Sequence, residues 1–148
     1  MKRFICLESG LFLVVSAAII LLVGPNTLAN DPPCSQMLRQ YGYAPAHKAG
    51  RVVASAPPSS EEIKKAMTTV ASYIDSPKTP AKDLRFLSRY LLKSVRGVER
   101  SKRVNHGEVM VYLSAAVQAM KSKDNPYKKT GGLTKFMSEC RFYGVAAN

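Results

Sequence analysis

The apolar positions fall into one compact block and then into stripes at helical spacing. Residues 11–23 form an apolar block without a charge. As a helix its 13 residues reach about 20 Å at roughly 1.5 Å per residue. A bilayer core is about 30 Å thick, so the block is short for a span and fits the core of a signal peptide. Lys2 and Arg3 precede it, Gly24 and Pro25 break it, and Thr27 and Ala29 offer small residues where a signal peptidase reads. Cleavage after Ala29 is expected, making 1–29 a signal peptide and the mature product secreted or periplasmic. The competing reading is an uncleaved anchor spanning from Phe4 to Val23.

Beyond the block the pattern predicts helices. A short turn begins at Cys34, with Met37, Leu38 and Tyr41 on one side. Residues 42–60 carry Pro45, Gly50, Pro57 and Pro58 among alanines and serines, and read as the linker that closes an N-terminal segment 30–58. Arg51 to Ala54 suits a brief extended segment, but no partner strand is evident. Ser59 with Glu62 three residues on is a capping box. Ile63, Met67, Val70 and Ile74 then mark one helix face. Thr79 as cap and Pro80 at the first position open a second helix, which Gly97 closes in a left-handed cap. Its apolar face is Leu84, Leu87, Leu91 and Val95. A third helix opens on Asn105 and Glu108, with Val109, Leu113, Ala116, Val117 and Met120 inward. A fourth, broken by Gly131-Gly132, has its body at 133–143, with Leu133, Phe136, Met137 and Cys140 inward. No run alternates with a period of two. The predicted fold is all-α, a bundle of about four helices with its main domain at 59–148.

Two cysteines remain after cleavage, Cys34 and Cys140. In an exported chain they most simply form one disulfide that closes the domain. His47 and His106 are too far apart in sequence, and too far from either cysteine, to suggest a metal site. Glu139-Cys140-Arg141 supplies no histidine to activate a nucleophile.

Charge then changes the picture. The chain carries 22 Lys+Arg against 10 Asp+Glu, a net charge of +12. In the second helix Lys82, Arg85, Arg89, Lys93 and Arg96 recur at spacings of 3, 4, 4 and 3. At about 100° per residue they fall within an arc of roughly 80°. Phe86 and Tyr90 flank them along one edge. Like charges one turn apart repel, so the stripe does not help its own helix. It reads as a face for anions, and arginine's planar fork suits carboxylate and phosphate. The competing reading is a solvated face on a basic protein.

Catalysis has little support in the sequence. There is no phosphate loop after a strand, no nucleophile elbow and no metalloprotease helix. Lys128-Lys129-Thr130-Gly131-Gly132 reads as a turn. His106 and Glu108 read as a helix start with an exposed histidine, and the sequence places no two carboxylates together on one face. No catalytic residue, metal or cofactor is therefore assigned. The expected function is an exported basic helical binding protein of inhibitor, immunity or adaptor type, engaging an acidic partner. The alternative is a binder of an anionic membrane surface or envelope polymer, with membrane contact peripheral apart from the signal segment. An enzyme with an unrecognised site is less favoured. Nucleic acid is not favoured, because no recognition motif accompanies the charge.

Overall fold

The computed structural model describes residues 31–46, 50–100 and 105–146, with side chains omitted at 95–100. The expected signal peptide, its cleavage site and His47 lie outside the described residues. Among these residues no helix is long and apolar enough to cross a membrane.

The elements run α1 (Pro33–Arg39), β1 (Tyr43–Pro45), β2 (Arg51–Ala54), α2 (Ser60–Ile74), α3 (Ala81–Arg100), α4 (His106–Lys121), α5 (Tyr127–Thr130), α6 (Gly132–Glu139) and β3 (Arg141–Val145). The protein is mostly helical, as the stripes predict, but it is not purely all-α. A three-stranded sheet of order β1-β2-β3 corrects that expectation. β1 pairs antiparallel with β2, placing Tyr43 opposite Ala54 and Pro45 opposite Val52. β2 pairs in parallel with β3, placing Val52 beside Phe142. The span read as a linker thus holds two strands, and Arg51–Ala54 has two partners where none was evident.

The fourth helix stops at Glu139, short of the expected residue 143. Cys140 leaves helical geometry at φ −120°, ψ 81°. The aromatic residues Phe142 and Tyr143 then suit the pleated surface of a strand. Between Val52 and Ala54 the parallel register slips, since Ala54 meets Val145. β3 holds the extra residue of a bulge, and Gly144, buried with φ 114°, supplies the conformation it needs.

α4 is the centre of the molecule. Val109, Tyr112, Leu113, Ala115, Ala116, Val117, Ala119 and Met120 are all buried, around most of its circumference. α2 and α3 lie against it on one side, the sheet and α1 on another. Tyr112 stacks on Phe142 with ring centroids 5.2 Å apart, and Tyr43 meets both rings edge-on at 5.6 and 5.9 Å. This trio joins the sheet to α4. α2 begins with the expected capping box: Ser59 accepts from the Glu62 N–H, and Glu62 accepts from the Ser59 N–H at 2.7 Å. Asn105 caps α4 in the same way, accepting from the Glu108 N–H at 2.8 Å.

Two helices sit rolled from their expected faces. On α2 the buried positions are Ala66 and Val70, while Met67 is 53% and Ile74 38% exposed. Gly107 lies so close to Ile63 that a Cβ there would stand 2.4 Å from Ile63 Cδ1. On α3, Leu87 is buried, but Leu84 and Leu91 are only half-buried. Phe86 and Tyr90, which flank the stripe along one edge, are half-buried and pack against the core together with Leu91.

α3 also differs at both ends. The Pro80 carbonyl receives the Asp83 and Leu84 N–H groups, while the Thr79 hydroxyl turns back to the Tyr73 carbonyl and ties α2 to α3. Gly97 does not end the helix, which runs on to Arg100. One interior glycine costs about 1 kcal/mol relative to alanine, which a long helix tolerates.

Cys34 and Cys140 stand at disulfide distance, 2.06 Å between sulfurs and 106 residues apart in sequence. Both are fully buried. The Cys34 N–H donates to the Tyr127 hydroxyl at 3.2 Å, which donates in turn to Glu139 Oε2 at 2.6 Å. The Tyr112 hydroxyl donates to the Cys140 carbonyl. Burial pushes the hydroxyls of Tyr112 and Tyr127 above the ordinary phenol range, so both remain donors.

Candidate functional site

Lys82, Arg85, Arg89 and Lys93 are all exposed on α3. From Lys82 to Lys93 they run along about 16 Å of helix, at roughly 1.5 Å per residue. Arg96 continues the same spacing, and its side chain lies outside the described residues. Asp83, Phe86, Leu87 and Tyr90 turn toward the core, and at about 100° per residue the basic arc lies beside them, with Ser88 and Leu92 on the side farthest from the core.

No acid neutralises this row among the described residues. The ion pairs found there are Arg39 with Asp31 at 2.9 Å and Lys135 with Glu139 at 3.8 Å. Asp83 is on the same helix, but it is 98% buried and faces inward. Its Oδ2 accepts the Tyr73 hydroxyl at 2.8 Å, and burial together with this carboxylate raises the Tyr73 phenol. The sequence counts Asp83 against the stripe, whereas the fold removes it from the face altogether. Arg85 donates from Nε to the Ala81 carbonyl at 3.4 Å, and its outer nitrogens remain available.

The row leads at Lys82 into a cleft of about 610 Å³ that sequence reasoning does not find. The cleft lies between the end of α2, the start of α3, the end of α4 and α5. Lys78, Lys82, Lys121 and Lys128 line it, with Asp83 and Gly132 at its inner wall. Gly132 has φ 63°, and a Cβ there would stand 2.9 Å from Asp83 Oδ1. Glycine at this position lets α6 start directly against the buried carboxylate. Lys128 belongs to the run read as a turn, but Lys78 and Lys82, which line the cleft with it, are 50 and 46 residues away. No local pattern carries that information.

A second cavity of about 230 Å³ brings Glu62 and Glu108 together with Tyr41 and Tyr43, a pairing of carboxylates the sequence does not reveal. Burial raises the Glu108 carboxyl above its ordinary range, opposed by the hydrogen bond from the Asn105 cap. Its Oε2 has no hydrogen-bond partner among the described residues. Hydrogen bonds from Ser59 hold the Glu62 carboxyl low. His106 is exposed at the first position of α4 and is not part of this cavity's wall. Among the described residues no cluster of three His, Cys, Asp or Glu side chains is arranged to hold a metal.

Comparison with family models, with curated proteins and with solved structures finds no match for this chain.

Proposed function

We propose that this chain is an exported binding protein whose α3 face docks an acidic protein. The observation that carries the reading is the row Lys82, Arg85, Arg89 and Lys93, exposed together and without an acidic partner among the described residues. A surface row of one sign raises the local potential and speeds encounter with acidic surfaces. It adds little to folding, because exposed charges are individually weak. Two further features fit an exported protein. The Cys34–Cys140 pair at disulfide distance suits an oxidising compartment, and residues 1–29 have the pattern of a cleaved signal. In this reading the mature chain starts at Asn30 and is secreted or periplasmic.

Leu92 favours a second reading. It is 54% exposed and stands next to Arg85 and Arg89 around the helix. An apolar side chain beside arginines suits the surface of an anionic membrane. The two readings separate in one experiment. Oxidised protein is immobilised and presented with its host envelope extract at low salt, in parallel with Arg85→Glu/Arg89→Glu protein. The expected result is an acidic protein held by the native chain and lost on the double variant. Retention of anionic vesicles with no protein retained would favour the membrane reading. Equal capture by both chains would defeat each.

A further inference from the structure

The lysine-lined cleft has no part in the docking face apart from Lys82, and its chemistry differs from that of the face. We propose that it is a binding site for a small, multiply charged phosphate ligand, of the size of pyrophosphate or a sugar phosphate.

Four lysines, Lys78, Lys82, Lys121 and Lys128, line it from three helices and the loop before α3. Asp83 is the one carboxylate in its wall, so the lining carries a net +3. Like charges gathered around one concavity repel, and nothing in the packing of α2, α3, α4 and α5 requires lysine at these positions. Lys121, Lys78 and Lys128 are exposed and fill no core. The buried Asp83 carboxylate offsets part of the repulsion from below. Its Oδ1 has no hydrogen-bond partner among the described residues. A dianion or trianion held between the lysines offsets the remainder.

The donor set selects the ligand class. Lysine ammonium groups are compact point charges on flexible stems, suited to phosphate oxygens approached from several sides. The Ser72 hydroxyl adds a neutral donor at the rim. The aromatic ring in the wall is Tyr73, whose hydroxyl is already given to Asp83, so the lining offers no pair of rings to sandwich a base. The volume of about 610 Å³ lies within the range of small-molecule sites and leaves room for a sugar beside the phosphate.

Phosphates of this kind come from two sources, a free metabolite or a phosphorylated headgroup at a membrane surface. The shared chemistry is tested first. Inorganic pyrophosphate is titrated into the oxidised protein by calorimetry. Saturable binding at one site per chain is expected, weakened at least about tenfold by Lys121→Glu/Lys128→Glu. Arg85→Glu/Arg89→Glu protein should bind pyrophosphate within about twofold of the native chain, since exposed charges outside the cleft are screened. That arm separates this site from the docking face, which can fail without it. A measurement free of substitutions accompanies it: pyrophosphate should protect Lys78, Lys82, Lys121 and Lys128 from acetylation ahead of Lys64, Lys65 and Lys93. Competition by vesicles rich in phosphatidylglycerol would assign the headgroup as the source, and lack of competition the free ligand. Absence of saturable binding, or equal losses in the two double variants, or uniform protection of all lysines, would overturn the proposal.

Discussion

Individual side chains show most clearly where the fold departs from its own pattern. Leu87 is 1% exposed on α3, whereas Met67, also expected inward, is 53% exposed on α2. Leu87→Ala should therefore destabilise the protein by about 2–5 kcal/mol, as buried leucines do. Met67→Ala should change stability by less than about 0.5 kcal/mol, as surface substitutions do. Chemical melts of the two variants check both. Helical spacing predicts both residues on the right helices and Leu87 at the right angle, but not Met67. The angle depends on which neighbour is small, and Gly107 against Ile63 is a contact between residues 44 apart. Glu108 supplies a pH-dependent case. Burial raises its carboxyl above the ordinary value, so the folded state binds a proton more readily than the unfolded chain. Its contribution to stability is then fullest at acid pH and declines as pH rises from the ordinary carboxylate range through the raised value. Glu108→Gln removes the titration and keeps an oxygen for Asn105. Thermal melts should show the variant gaining on the native protein between pH 4 and pH 7. A constant difference across that range would mean Glu108 is not perturbed.

At the scale of elements, the four main helices were legible because their signals are local. A capping box at Ser59 and Glu62, and Asn105 before α4, each lie within four residues, and the structure forms both. The sheet was not legible. β2 and β3 are each four or five residues long and pair across about 90 positions of chain, with no alternation long enough to announce either. The cysteines, by contrast, were readable by elimination, and they stand where α1 meets the end of α6. The bond should therefore hold the N-terminal helix against the strand-forming C-terminal segment. Thiol titration of unfolded, unreduced mature protein should find none free. The Cys34→Ser/Cys140→Ser variant should lose about 2–5 kcal/mol, typical for a native disulfide in a small secreted domain. Two free thiols per chain would contradict this.

At the scale of the whole molecule, the charge excess was visible in composition, but its arrangement was only half visible. The spacing on α3 gave the row Lys82, Arg85, Arg89 and Lys93, and the fold leaves all four exposed. The cleft formed with Lys78, Lys121 and Lys128 needed the tertiary structure, because residues from α2 through α6 and the loop before α3 contribute to it. The proposed division of labour is a linear row for an acidic surface and a concave site for a compact anion. The row's part is tested most directly by titrating the captured acidic partner against native and Arg85→Glu/Arg89→Glu protein at low and physiological salt. The native affinity should fall as salt rises, because salt shortens the reach of exposed charges to about 8–10 Å at physiological strength. The double variant should bind more weakly, show a flatter salt dependence and melt at the same temperature as the native chain. Equal affinities and equal salt dependence for the two proteins would contradict the account.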